Sequence, residues 1–511
     1  MPEEIASDPE LQDGTPVRDS AREDAPATAA GDAGGFISRH PLATVAILAL
    51  LAVVPFHTSR GLYETTEGRY AECARQTMIT GKWDQPVLNG EHHWTKPPLT
   101  YMAIGGGIRL FGCNTLGARA YLVPCFLVTV LAVYWLAFNL FGPRAALLAA
   151  VIHASSPLVM VSTQVVSADV PLVMWEALAL AAFWHAVRRR NRWFVVLSWA
   201  LLGMAFVTKG PPALLPLLAL VPVSLVIKRR GIDAPSLFSP LNLLGLLCFL
   251  VLGLSWYVVE AFRHEGLASY WLLSEVVKRN FTGASNRNSE WYKSITVYAP
   301  VIIFAAGPWL FWALWRLRGR WEVLDSRRDE AGRIKVEWLF LLLSFFLPLL
   351  VFLVSRSRLH LYALPLSVPL SVALGEVFVR LESRRAVSTR AIGVLAVAMI
   401  LAFAVGKGIW PRVTRSRDMR PLAQSMEEVC AASPGLEIYR CGRELNGLQY
   451  YLRREIPTVS VKKTRHLLND SRPLVVVMDE KDVRKLKSVP DLNVLRIEGM
   501  PYALVSPGSK P

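Results

Sequence analysis

Acids and bases crowd one stretch of this chain. Residues 67–99, EGRYAECARQTMITGKWDQPVLNGEHHWTKPPL, carry Glu67, Glu72, Asp84 and Glu91 beside Arg69, Arg75, Lys82 and Lys96, with Glu64 just upstream. A positioned carboxylate can take a proton from a nucleophile or stabilise a developing cation, and fixed cations can hold an anionic group. The same residues also describe an ordinary solvated loop, and Glu72, Arg75 and Lys82 are expected to be only that. Two more charges stand at the ends of apolar runs: Asp169 in SADVPL and Lys209 in FVTKGPP. A charge at the mouth of a membrane span is costly without a partner, so Lys209 is the expected partner of Asp169. Asp169 also reads as a helix cap ahead of Pro171.

A membrane must position these residues. Of 511 residues 53% are hydrophobic, and the mean hydropathy is +0.34, more apolar than a soluble chain of this size needs to be. A span takes about 20 apolar residues. Eleven segments qualify: 41–56, 116–141, 145–161, 170–187, 193–207, 211–227, 241–259, 295–315, 338–354, 361–378 and 391–405. The net charge of +16 comes from Lys and Arg clustered between these runs, as at 188–192 and 228–230. Membrane topology explains that pattern, so no nucleic-acid partner is expected. With a cytoplasmic N-terminus, the basic connections face inward. Residues 58–112, 162–169, 208–212, 260–294, 355–360 and everything after 406 then share the outer, periplasmic face of a bacterial inner membrane.

Segment 99–111 is too short to span and holds a run of three glycines, a poor helix interior; it is expected along the interface. Residues 1–38, rich in Ala, Asp, Glu and Pro, read as a disordered cytoplasmic tail rather than a signal peptide. Residues 39–406 read as the membrane domain. From 407 to 511, strand-like and helical stretches alternate (LEIYRCG, ELNGLQYYLRR, PTVSV, PLVVVMD, NVLRIEG, YALVS), the signature of a small periplasmic α/β domain. Cys430 and Cys441 lie there, where a disulfide can persist. The expected fold is thus an α-helical polytopic membrane protein of about eleven spans with interfacial helices and a small C-terminal α/β domain.

The stretch EGRYAECARQTMITGKWDQPVLNGEHHWTKPPLTY resembles the first periplasmic loop of the bacterial membrane glycosyltransferases that include the aminoarabinose transferase acting on lipid A and its protein O-mannosyltransferase relatives. Further similar stretches follow in order: SADVPLVMWEALALAAF, GMAFVTKGPPALLPLLAL, SWYVV, VVKRNF and SRSRLHLYALPLSVPLSVALG. The resemblance covers most of residues 41–378. It implies a GT-C architecture and transfer of a sugar from a polyprenyl-phosphate carrier to a periplasm-facing lipid, glycan or protein.

On that resemblance, Lys96, Arg69, Arg279 and Arg358 are expected to hold the carrier's phosphate with Tyr362 as a neutral donor. Glu67 is the first choice of catalytic carboxylate and Asp169 the second, while Glu64, Tyr70, His93 and Lys209 line the substrate cavity. The chain departs from its relatives where they commonly have acids or a histidine: it has Thr66, Thr95 and Val276 there. No metal or other cofactor is therefore expected with certainty; His92 and His93 are the substitute ligands a divalent cation would use, or else aromatic and hydrogen-bonding groups. The alternative function is a polytopic transporter or flippase of lipid-linked substrates.

Overall fold

Helix after apolar helix runs through the computed structural model, which describes residues 39–233, 239–282, 288–470, 472–486, 489 and 491–508. The expected tail, 1–38, lies outside the described residues. Eight helices are long and apolar enough to cross a membrane: Thr115–Phe141, Asp169–Arg189, Pro211–Arg229, Pro240–Arg263, Lys293–Leu317, Val336–Val354, His360–Ser383 and Thr389–Val413. All eleven expected segments are helical, but three fall short of that length. Pro41–Val53 has 13 residues and Trp193–Lys209 has 17. The third, 145–161, is broken: Ser156 is extended (φ −73°, ψ 131°) between Pro143–Ser155 and Pro157–Ser162. The residue before a proline is driven out of the helical region, so the apolar continuity around SSPLVMV hides a break at Ser156-Pro157.

Asp169–Arg189 is the central helix of the bundle. It packs between Leu122–Phe141 on one side and Trp193–Lys209 on the other, and 78% of its most apolar window is buried. Asp169 begins it, and Pro171 falls in the first turn, where its missing N–H costs nothing.

The glycine run at 105–107 does not stop a helix. Leu99–Phe111 is continuous because two of the glycines are where neighbours come closest. A Cβ on Gly105 would lie 2.5 Å from the Trp83 ring, and one on Gly107 would lie 2.3 Å from the Gly117 carbonyl. Close approach, not flexibility, accounts for them.

After Thr389–Val413, which runs through the expected boundary at 406, five strands form one sheet in the order β4-β3-β5-β7-β6: β3 Glu437–Cys441, β4 Thr458–Val459, β5 Leu474–Asp479, β6 Leu492–Arg496 and β7 Tyr502–Pro507. The first three strands in that order are parallel, and β7 runs antiparallel to both of its neighbours, β5 and β6. A small hairpin, β1 Val87–Leu88 with β2 Glu91–His92, lies within the polar loop. In β5, Val475 and Val477 join a core with Leu422 and Met426, while Val476 and Met478 join a second core on the other face. Cys430 packs with the first core and Cys441 with the second, so no disulfide joins them and both are free thiols.

The sheet domain is bolted to the polar loop through Asn446–Leu452, which lies on Thr66–Thr80. The Tyr451 hydroxyl accepts from the Leu62 N–H at 2.9 Å, Tyr450 donates to the Asn114 carbonyl at 3.0 Å, and Gln449 donates to Asn89 Oδ1 at 2.9 Å. This cover corrects the expectation for Glu72 and Arg75. They are buried, and Arg75 donates to both Glu72 oxygens at 2.6 and 2.7 Å and to the Arg453 carbonyl at 3.1 Å. Lys82 is exposed, as expected of a solvated loop.

Deeper in the bundle, Ser367–Ser383 packs against Pro143–Ser155, and a Cβ on Gly375 would lie 2.7 Å from the Ala149 backbone nitrogen. Backbone cannot yield as a side-chain tip can. Gly375→Val is expected to destabilise the protein by about 1–3 kcal/mol, read as a lower unfolding temperature in detergent, whereas Gly393→Ala, with open space around it, should leave that temperature unchanged.

Candidate active site

Glu67 stands in the first turn of Thr66–Thr80 and is 3% exposed. Its carboxylate accepts from five N–H donors. Arg60 approaches at 2.5 and 3.1 Å, Arg119 at 3.3 Å, and the Tyr63 and Val166 backbone N–H groups at 2.9 Å each. Burial pushes its pKa up, but the two guanidiniums and these donors outweigh burial and hold the carboxyl below its ordinary value. Arg119, itself fully buried, also donates to the Arg60 and Gly61 carbonyls at 2.8 and 2.9 Å.

From this cluster the chain is pinned residue by residue to Asp169. The Gln164 carbonyl accepts from Arg60, and the Val166 N–H donates to Glu67. Tyr121 clasps Ser167, donating to its carbonyl at 2.7 Å and accepting from its N–H at 3.0 Å. The Asp169 N–H then donates to Ser167 Oγ at 3.2 Å. Asp169 is paired with Lys209, the partner expected for it, and both are buried. The Lys209 ammonium also lies 4.7 Å from the centre of the Tyr362 ring.

Lys209 and Tyr362 face a cavity of about 790 Å³ whose remaining wall is almost wholly apolar, with Leu172, Phe206, Leu254, Tyr257, Trp271 and Leu350 among its lining. Lys96 reaches the same cavity from Leu99–Phe111's leading turn, with its Nζ 4.0 Å from Glu275 on the helix Tyr270–Thr282. The wall between them is tied: Trp271 donates its indole N–H to the Trp94 carbonyl at 2.8 Å. The result is a greasy chamber whose lining includes two ammonium groups, a phenol and the Glu275 carboxylate.

The other expected residues are distributed differently. Glu64 and Glu67 line a second, smaller cavity. Arg358 is buried and spends its guanidinium on the Asn288, Glu290 and Leu353 carbonyls at 2.8, 3.0 and 3.2 Å, so it clamps a connection. His93 bonds Thr95 Oγ1 at 2.6 Å; burial and the charges of Arg69 and Lys96 push its pKa down to about 4. His92 is stacked on Trp94 with ring centres 5.0 Å apart. Tyr70 is buried against Tyr101, and Arg69 is half-buried on the same helix. The Arg279 side chain lies outside the described residues. Among the described residues, no group of three or more His, Cys, Asp and Glu is placed to hold a metal ion.

Sequence reasoning missed Arg60, Arg119 and Glu275. Arg119 had a usable signal: a charge inside an apolar segment needs a partner, and Glu67 is that partner. Arg60 and Glu275 had none beyond the general polarity of their loops.

Glu64 links the site to the sheet domain, accepting from the Gly447 N–H. Burial lifts its pKa from 4.5 to about 8, against the opposing pull of that N–H and of Arg440. A carboxyl with a raised folded-state pKa stabilises the fold below the unfolded value and loses that contribution as pH rises through the folded value. Unfolding temperatures in detergent are therefore expected to fall more steeply between about pH 4.5 and pH 8 in the native protein than in Glu64→Gln; parallel curves would remove Glu64 as the cause.

Known proteins resemble this chain in both sequence and fold. A family model described as dolichyl-phosphate-mannose-protein mannosyltransferase matches residues 95–257. The undecaprenyl phosphate-alpha-4-amino-4-deoxy-L-arabinose arabinosyl transferase of Pseudomonas aeruginosa (strain LESB58) is 30% identical over 376 residues, which are 71% of this chain and 65% of that protein. The transferase of the same name from Erwinia tasmaniensis is 29% identical over 377 residues, 72% of this chain and 65% of that protein. The chain thus matches just under two thirds of the length of these relatives. The crystal structure of ArnT from Cupriavidus metallidurans bound to undecaprenyl phosphate has the same fold, with a TM-score of 0.73, 19% identity, and coverage of 92% of this chain and 98% of that one. Sequence and fold point the same way: the chain is similar in sequence to these aminoarabinosyl transferases and shares the fold of ArnT.

Proposed function

We propose that this chain is an inner-membrane glycosyltransferase that moves one sugar from a polyprenyl-phosphate carrier to a lipid, glycan or protein on the periplasmic side, with its N-terminus cytoplasmic and its sheet domain periplasmic. The observation that carries this reading is the largely apolar cavity of about 790 Å³ whose lining includes Lys96, Lys209 and Tyr362. A polyprenyl chain supplies apolar surface to fill such a wall, and a phosphate supplies the anion that two ammonium groups hold by charge-assisted hydrogen bonds. The curated relatives are named as undecaprenyl phosphate aminoarabinosyl transferases, which favours transfer over transport of a lipid-linked substrate.

In this reading Lys96 and Tyr362 hold the carrier phosphate, with Arg279 as a further cation from the neighbouring helix. An acceptor oxygen attacks the anomeric carbon, the bond from that carbon to the phosphate oxygen breaks, and polyprenyl phosphate leaves with the electron pair. The ammonium groups stabilise the charge that collects on the leaving phosphate. Asp169 serves as the carboxylate at the reacting centre: it stabilises the oxocarbenium-like carbon and takes the proton when the nucleophile is a hydroxyl. Lys209, paired with it, holds it in place. Glu67, with every donor around it committed, acts one step away by fixing the segment that delivers Asp169.

Deletion of the gene is expected to cause one polyprenyl-linked sugar to accumulate, measured by glycolipid mass spectrometry against the parent strain. Asp169→Asn should fail to reverse that accumulation, with transfer lowered about 100-fold or more, while purified Asp169→Asn still binds undecaprenyl phosphate. Lys96→Gln should weaken that binding about tenfold, the loss of one charged hydrogen bond. Full transfer by Asp169→Asn, or native binding by Lys96→Gln, would contradict these roles.

A further inference from the structure

Among the described residues, three aliphatic hydroxyls line the larger cavity, on Thr95, Ser355 and Ser357. Two are engaged. Thr95 Oγ1 bonds His93, and Ser355 Oγ accepts from the Ser357 N–H at 3.3 Å and donates to the Ser357 carbonyl at 3.4 Å. Ser357 itself is 2% exposed, and among the described residues its Oγ is buried with no hydrogen-bond partner. Its position is fixed from both sides. Ser355 holds its backbone, and the next residue, Arg358, is clamped to the Asn288, Glu290 and Leu353 carbonyls while Asn288 Nδ2 donates back to the Arg358 carbonyl at 3.0 Å.

A second such hydroxyl stands beside the same connection. Tyr298, on Lys293–Leu317, is 1% exposed, and its ring packs on Phe352, a lining residue of the cavity, with centres 5.9 Å apart. Its hydroxyl is buried without a hydrogen-bond partner among the described residues: the Leu359 N–H comes close but outside hydrogen-bond geometry, and Tyr362, Arg358 and Asp169 are ionisable groups near it. Burying a hydroxyl with no partner destabilises a fold. Two of them along one short, rigid connection mark groups whose partners come with a ligand. A hydroxyl both donates and accepts and carries no charge, so it suits another hydroxyl. A phosphate takes the ammonium groups instead, and an alkyl chain takes the apolar wall. Of the parts of a carrier-linked sugar, only the sugar offers several hydroxyls.

We propose that Ser357 and Tyr298 bind hydroxyl groups of the carrier-linked sugar and so select the donor. The inference rests on the proposed transfer reaction, which puts the sugar beside Tyr362 and Asp169, and deepens it by naming the groups that read that sugar. A site built to bond a substrate hydroxyl discriminates strongly against an analogue that lacks it, because its own buried groups are then left unpaired. The apolar wall and the cations serve any polyprenyl phosphate alike, whereas these two hydroxyls distinguish one sugar from another. In the ligand-free protein they lower stability, so function and stability pull in opposite directions.

Ser357→Ala and Tyr298→Phe each delete one oxygen and keep the surrounding packing. As full-length protein in detergent without ligand, both variants are expected to unfold at the native temperature or above it; a lower temperature would show hydroxyls that the fold itself uses and would overturn the proposal. Calorimetric titration with undecaprenyl phosphate, and with the carrier-linked sugar purified from the deletion strain, then separates carrier from sugar. Each variant should bind the sugar-bearing lipid about three- to tenfold more weakly than the native protein does, and undecaprenyl phosphate equally tightly. Equal weakening of both lipids would move the contact to the phosphate and overturn the proposal. If the deletion strain accumulates no carrier-linked sugar, the transfer reading fails and this inference falls with it. If it accumulates one and both variants bind it with native affinity, the sugar contact alone is refuted and the transfer reading stands.

Discussion

A single buried carboxylate holds the polar end of this molecule together. Taking an ion out of water costs several kcal/mol, and the attraction to a partner offsets that only when geometry is good and the remaining lone pairs are satisfied. Glu67 meets both conditions: two guanidiniums and two backbone N–H groups converge on it from three different parts of the chain. Removing one member of such a cluster leaves the rest uncompensated, typically at a cost of about 3–5 kcal/mol. The cluster therefore has one arrangement and few alternatives, and whatever is attached to it inherits that rigidity. Attached to it are the segment leading to Asp169, the start of the helix Thr115–Phe141, and, through Asp418 and Gly61, the sheet domain.

That rigidity matters because the neighbouring cavity contributes little orientation of its own. An apolar wall attracts a polyprenyl chain without directing it. Direction has to come from the few polar groups in its lining, and these arrive on separate elements: Lys96 ahead of one helix, Lys209 at the end of another, Tyr362 on a third. Covalent neighbours could not keep them in register, whereas a bundle whose central helix is buried on most of its surface can. The ion pair of Asp169 with Lys209 joins the two halves of this arrangement, since Asp169 begins the central helix and Lys209 ends the next one.

Much of this was legible in the sequence because hydropathy and charge obey strong local rules. The apolar runs, the strands of the sheet domain and the Asp169 partner all follow from period, length and the cost of an unpaired charge. What the sequence hid depended on contacts distant along the chain. Glu72 and Arg75 look like solvated loop residues until Asn446–Leu452 covers them. Arg358 looks like a phosphate ligand until its guanidinium is seen to be committed to three carbonyls. The break at Ser156 was written in a Ser-Pro dipeptide but outweighed by the apolar residues on either side. The glycines at 105–107 looked like helix breakers because a sequence shows what glycine permits and not what passes beside it.

Backbone hydrogen exchange in Glu67→Gln tests the central claim most directly. If Glu67 acts by positioning, amides of residues 60–63 and 164–168 should exchange faster in the variant than in the native protein, while those around Trp94 and Trp271, tied by their own hydrogen bond, keep their protection. Unchanged exchange at 164–168 together with abolished transfer would contradict the claim and make Glu67 a group that acts on the substrate itself.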